Sequence, residues 1–507
     1  MKSLYRVFLL SLVIGSALMA EPNDGRDSLG VLDRVRLHSL LDADVLQLAW
    51  QNPAVRQWQR DYSLSEVAAG YQLRHESQAV VAQLGDHASQ FTFDAGTHLK
   101  HRSSTLWGAA HYDHGSTRHI AWNETSDPDM VYPYLLADSS ASAPMRHERY
   151  AFGGGYADHN GRWHWGAEVG YEAGHYYRNV DPRPRNVTAR LVAKGGAGLS
   201  LTGRYVAAAA LSYVKYKQTN DVAFYSEMGK EKLFHLTGLV NDYGRFAGAA
   251  DQTYYHGHQW QAVLGVQPTT RRGWSTTLSA SRLTLDKVLT TLNKLPMARI
   301  IHTALEAEAA WLAEDWAVRG HVDAHRRVGR ENVFGDPAAA VYPQIGALDM
   351  YHENRFAAGV DGIWQHSWHA VDLGVRPTID YAHRNVVYAD PPCRQYVNDL
   401  TTALSLRGGW RTAGTYTTLG LATAWTHPVD SELLLSDVKN ELAGLQRVVE
   451  SDYRYASHDR LAFAAELAVT APIGSRLALQ AKASWQYTAF TASVRTHMLS
   501  TAVALLF

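Results

Sequence analysis

The sequence predicts an all-β protein, a transmembrane antiparallel β-barrel of about 18 strands with 16 as the alternative count, carrying a short amino-terminal plug or periplasmic segment. Three observations predict it. The chain opens on a secretory leader, most of it beyond residue 60 alternates apolar and polar side chains over runs of ten or more residues, and its aromatics are of the interfacial kind. Fifteen Trp and 27 Tyr outnumber 12 Phe, and amphipathic aromatic rings collect where a membrane meets water.

Residues 1–20 read as the signal peptide. Lys2 and Arg6 precede the apolar run Val7 to Leu18, and small residues at Gly15, Ser16, Ala17 and Ala20 offer a cut after Ala20 or Ala17. Cys393 is the lone cysteine, so neither a lipid anchor at the cut nor a disulfide framework is expected. No later run of about eighteen uncharged apolar residues follows, which excludes a helical membrane span. The net charge of -1 predicts no nucleic-acid partner.

Residues 21–60 form the plug or periplasmic segment. In "DRVRLHSLLDADVLQLAW", Val35, Leu37, Leu40, Leu41, Val45, Leu46 and Leu48 are spaced as in a helix, which Asn52-Pro53 stops. Residues 61–507 form the barrel, with strands expected over 61–76, 89–102, 104–115, 146–157, 162–178, 186–199, 204–217, 253–267, 273–287, 299–313, 316–328, 353–366, 368–384, 397–411, 414–427, 457–470, 475–489 and 493–507. The fifth shows the pattern most clearly. Trp163, Trp165, Ala167, Val169 and Tyr171 alternate with His164, Gly166, Glu168, Gly170 and Glu172, so one face meets lipid and the other the lumen. Short turns alternate with longer connections, notably 116–145, 218–252, 329–352 and 428–456. Short periplasmic turns and long outer loops place both chain ends in the periplasm. The last strand turns Val503, Leu505 and Phe507 outward and stops on the aromatic residue, the form of the signal read by the barrel-assembly machinery.

"NPA" at Asn52-Pro53-Ala54, "SLSEVAAGY" at Ser63 to Tyr71 and the terminal "STAVALLF" together resemble an uncharacterised family of Bacteroidota-type outer-membrane β-barrel proteins, a domain of unknown function. The resemblance covers nearly the whole mature chain. It implies the barrel and the outer membrane of a Gram-negative bacterium, and brings no catalytic residues.

Charged residues of both signs fall on the predicted lumen face: Glu168, Glu172, Arg190, Lys194, Glu306, Glu308, Arg319, Asp323, Arg376 and Asp380 among them. Neither sign dominates, so weak ion selectivity is expected of an open lumen. A salt-bridged lining is weighed above a transverse field, because interior charges are usually paired. The 25 histidines invite a metal, but His256 and His258 fall on the lipid face, and His321 and His325 lie four residues apart on one strand, about 13 Å at strand rise. No metal, cofactor or catalytic residue is therefore expected, and no nucleophile signature such as G-x-S-x-G is present. The expected function is a porin-like or gated conduit for polar solutes. The alternative is a non-conducting accessory barrel that binds a surface ligand or a lipoprotein or transporter partner, with an outer-membrane hydrolase as a minor third.

Overall fold

The computed structural model describes residues 29–507 except 42–44, 140–142, 228–231, 249–250, 271, 338–340, 437, 475 and 491–492. The expected leader, 1–20, lies outside the described residues. Eighteen strands, from Leu64–Glu76 to Arg495–Leu506, pair antiparallel in chain order. The first also pairs with the last, Glu66 opposite Leu506, and the sheet closes into a barrel. Each expected strand corresponds to one of these eighteen. Closure satisfies every strand's backbone groups inside the wall, which a sheet exposed to lipid requires.

Side chains follow the alternation. In Trp163–Tyr177 the odd-numbered Trp163, Trp165, Val169 and Tyr171 are exposed, while His164 and Gly166 are buried on the other face. Trp163, Trp165, Trp274, Trp316, Trp364, Trp368 and Trp410 stand exposed beside the short turns, a girdle at one rim of an apolar outer belt. Those turns are tight: Ala413 and Gly414 both have positive φ, 48° and 86°, the geometry of a two-residue hairpin loop that matches strand twist. Val169→Arg, a charge placed on this belt, is expected to cost about 2–4 kcal/mol at bilayer midplane depth. The heat-modifiable gel shift of folded barrel in lipid vesicles, titrated with urea, measures it, and an unchanged midpoint would contradict the lipid-facing register.

The connections depart from expectation in two ways. The segment 329–352 is mostly wall, because Trp316–Phe334 and Gln344–Ser367 continue as a paired hairpin fastened by Arg330 to Asp349 at 2.6 Å. The other long connections turn inward and fold. Leu136–Ala137 pairs with Phe234–Gly238, which pairs with Asn241–Asp242, and Ala443–Ala456 is an α-helix.

The amino-terminal segment is also more broken than its periodicity suggested. A helix spans Val31–His38, and 3-10 turns follow at Ala49–Gln51 and Pro53–Trp58. Asn52-Pro53 both ends the turn Ala49–Gln51, with Asn52 as its C-cap, and starts the last one. Asn52 is extended, as a residue before proline prefers, its side chain accepts from the Ala54 N–H, and Pro53 occupies the first position, where its missing N–H costs nothing.

Candidate functional site

Two packed bodies occupy the inside of the barrel. At the loop end, Trp122, Val131, Tyr134, Leu135, Phe234 and Leu236 from the connections bury against inward-facing wall residues such as Tyr255, Leu285, Met297, Ile300 and Tyr351. Polar anchors fix this cap. The Glu124 carboxylate and Arg178 guanidinium meet at 3.0 Å, each almost wholly buried, the Asn186 side chain donates to the Glu124 carbonyl, Lys287 Nζ donates to the Leu135 carbonyl and Tyr255 to that of Tyr134. Backbone groups of the connection that would otherwise be orphaned are thereby paired.

At the turn end the amino-terminal segment seats against the wall. Leu41, Val45, Leu46, Ala49, Trp50 and Val55 pack on Val206, Ala208, Ala310, Leu312, Ala317 and Ile363, while Val31, Leu32 and Val35 pack near Tyr416 and Leu506. The contact is close: a Cβ at Gly166 or Gly196 would strike Pro53 or Asn52. Arg36 grips the buried carboxylate of Asp372 through Nε and Nη2, with Nη2 at 2.7 Å, and Tyr416 donates to the same carboxylate.

Between this segment and the wall lie two adjoining cavities of about 430 and 460 Å³, both lined by His38, Arg56, Gln59 and Arg60. Four cations line the pair, Arg56, Arg60, Lys194 and Arg407, against two carboxylates, Glu66 and Glu168. Glu168 is engaged by Arg56 and Lys194, each at 2.8 Å, and by Trp107 Nε1. Three buried nitrogens of the lining, His38 Nδ1, Arg56 Nε and His98 Nε2, have no hydrogen-bond partner within the protein. Such groups are costly unless something pairs with them. The chamber therefore has positive charge and vacant hydrogen-bonding capacity together.

The sequence-nominated charges fall into separate groups. Glu168 and Lys194 belong to the chamber. Glu308, Arg319, Asp361 and Arg376 form a chain, with Arg319 Nη2 at 2.6 Å from Asp361. His321 meets Asp380 at 3.3 Å, Glu172 stands opposite Arg190, and Glu306 opposite Asp323. Val503 and Leu505 are exposed on the outside, and Phe507 exchanges both backbone hydrogen bonds with Ser65. His256 and His258 stay on the outer face, His258 beside Tyr213 and Lys215. Sequence reasoning missed His38, Arg56 and Arg60, which lie off the strands where no two-residue period applies, and Glu66 and His98, which the alternation places on the lumen face without marking them as a site. It also passed over a sign of the cap: inward positions of Gly273–Leu289 change from Ser275, Thr277 and Ser279 to Leu283, Leu285 and Leu289, while Asp286 turns outward to pair with Arg299.

The cap carries a titratable weak point. On Ala443–Ala456, burial pushes the Asp452 carboxyl up to about 7 against a lesser, opposing hydrogen bond from the Ala82 N–H, and its Oδ1 has no partner. A carboxyl whose folded pKa exceeds its unfolded value stabilises fully below the unfolded pKa, and that contribution is lost as pH rises through the folded one. Protection factors across 443–456, that is exchange corrected for its intrinsic base-catalysed rise, are accordingly expected to be lower at pH 8.5 than at pH 5.5, and Asp452→Asn to flatten that difference. Equal protection factors at both pH values in the parent protein would contradict it.

Residues 53–507 match the model of a family of unknown function (DUF6850). No curated protein matches the sequence. Among solved structures, the ferric preacinetobactin receptor from Acinetobacter baumannii is similar at 10% identity and a TM-score of 0.42, with 88% of this chain and 80% of that one covered. The ferric yersiniabactin uptake receptor from Yersinia pestis is similar at 9% identity and a TM-score of 0.41, over 88% and 80%.

Proposed function

The chain belongs to this family of unknown function, and we propose that it is a gated conduit of the Gram-negative outer membrane for small anionic polar solutes, held shut at both ends. The observation that carries the reading is the chamber: Arg56, Arg60, Lys194 and Arg407 outnumber Glu66 and Glu168 in a space enclosed between a docked amino-terminal segment and the wall. In a confined site of low dielectric, such an excess attracts anions, and rings of Arg and Lys favour them in pores. The cations of the amino-terminal segment, Arg56 and Arg60, tilt a wall whose own charges are nearly balanced.

The apolar belt and tryptophan girdle support a membrane-spanning role. In this reading residues 1–20 are the leader, 21–60 the plug and 61–507 the wall. The short turns and both chain ends are periplasmic, and the barrel-assembly machinery reads Val503, Leu505 and Phe507. Glu172, Arg190, Glu306, Glu308, Arg319, Asp323, Arg376 and Asp380 line the upper path, with Glu308, Arg319, Arg376 and Asp380 held in ion pairs. No step of covalent chemistry is assigned to the chain.

Planar-bilayer recording tests it. The purified protein is expected to carry no steady current, a variant loosened at both ends that keeps Arg56 and Arg60 is expected to pass chloride in preference to potassium, and removal of residues 21–60 from a barrel with a loosened cap is expected to abolish that preference. Steady current from the parent protein would indicate an open porin, and silence of every variant a non-conducting barrel. That second reading has one observation in its favour: Ile345 and Leu348 are exposed on the hairpin arm Gln344–Ser367 near its loop-end tip, where an apolar surface suits a lipoprotein or transporter partner. Copurification from native membranes addresses it.

A further inference from the structure

At the loop-end rim, three ligand-bearing side chains converge from two connections. His87 and Arg118 are paired in register at the open end of one hairpin, so Asp86 and His119, the residues just beyond them, are brought side by side. Asp86 Oδ1 lies 2.6 Å from His87 Nδ1 and 2.8 Å from His119 Nδ1. The three ligand atoms lie within 4.8 Å of one another. Behind them His75 Nδ1 meets the other ring nitrogen, His87 Nε2, at 2.6 Å.

The geometry points to a binding site for a divalent transition metal such as zinc, held by Asp86, His87 and His119 at the rim. Two imidazoles and a carboxylate are a ligand set suited to zinc, with bonds of about 2.0–2.2 Å, and a modest outward movement of the rings opens that space. His75 would occupy the supporting position. A ring that binds metal through one nitrogen is commonly oriented by a hydrogen bond to the other, and loss of such a partner costs roughly 10–100-fold in affinity. His119 contributes a second observation: its φ is +56°, a conformation uncommon for a residue with a side chain and one that collects at functional positions. Its side chain is 62% exposed, leaving the fourth coordination position open to water or to a ligand. Nearby, Arg74 is neutralised by Glu76.

The site would also fasten two loops. Asp86 ends the connection 77–86, and His119 begins the stretch that runs through Trp122 and Glu124 into the cap. Ala121 N–H already donates to the Ala82 carbonyl, and the Asn123 side chain to that of Gln83. A bound ion would add a coordinate link to those hydrogen bonds, making cap opening dependent on external metal.

The untagged full chain, purified in detergent and stripped with EDTA, is titrated with zinc sulfate by calorimetry and with cobalt(II) by absorption spectroscopy. One zinc per rim site is expected, with loss of at least tenfold in affinity for His87→Ala and for His119→Asn, and a smaller loss for His75→Ala. Asparagine tolerates the positive φ of position 119, so that variant keeps the loop, and a heat-modifiable gel shift verifies folding of each. His427→Ala, at the separate rim pair His427 to Asp459, is expected to bind as the parent does. Absence of zinc binding, or affinity unchanged in both His87→Ala and His119→Asn, would overturn the assignment and leave the three groups as a proton-bridged network. This outcome is independent of conductance.

Discussion

Arg178→Met is expected to release the cap. The variant leaves the Glu124 carboxylate, whose side chain is 2% exposed, without its guanidinium partner. Removing one member of a buried ion pair costs about 3–5 kcal/mol, because the remaining charge must be rehydrated or protonated. The Glu124 backbone is tied to Leu136 and its carbonyl to Asn186 and Asn220, so the strain falls on the connection 119–144 that builds the cap. Limited proteolysis of intact cells or liposomes is expected to cut that connection in the variant and spare it in the parent. The double variant Glu124→Gln, Arg178→Met removes the stranded charge and is expected to recover most of the protection. Equal protection in parent and single variant would show that the apolar core of Trp122, Tyr134 and Leu135 holds the cap unaided.

Asp372→Asn is expected to loosen the other end. Asp372 accepts from Arg36 Nε and Nη2 and from the Tyr416 hydroxyl, and Arg36 sits on the helix Val31–His38. Hydrogen bonds to a charged group are worth roughly 1.5–3 kcal/mol each in mutational series, and Arg36 is partly exposed, so a total near 2 kcal/mol is the expected cost once solvent screening is discounted. Hydrogen exchange is expected to rise across 29–41 and 45–60 while the wall strands stay protected. Because each end has its own closure, neither variant alone is expected to conduct, whereas Arg178→Met with Asp372→Asn is expected to give intermittent anion current. Current from Asp372→Asn alone would mean that the cap leaks and that the amino-terminal segment is the sole gate.

The wall was legible in the sequence because its rule is local. A strand between lipid and lumen repeats every two residues, so Trp163, Val169 and Tyr171 against His164, Glu168 and Glu172 could be assigned to faces within a single segment, and short turns such as Ala413-Gly414 marked where each hairpin reverses. The contents of the lumen follow no local rule. Arg56 finds Glu168 at a separation of 112 residues, Arg36 finds Asp372 at 336, and Glu124 finds Arg178 at 54. A polar inward face is equally suited to water, to an ion pair in the wall or to a folded segment. The cap left a faint trace where Leu283, Leu285 and Leu289 face inward and Asp286 and Arg299 face outward, the inversion required where a strand leaves the bilayer with solvent outside and a packed core within. The sequence by itself determined the barrel wall and its two faces and narrowed the strand number to about 18 or 16, since lipid imposes a period on every strand separately, and the structure settled the count at 18. Only the tertiary structure decided that both ends of the lumen are filled, that a basic chamber lies behind the amino-terminal segment and that Asp86, His87 and His119 meet, since those outcomes depend on contacts between segments distant in the chain, whose closure entropy must be offset by packing that no single segment encodes.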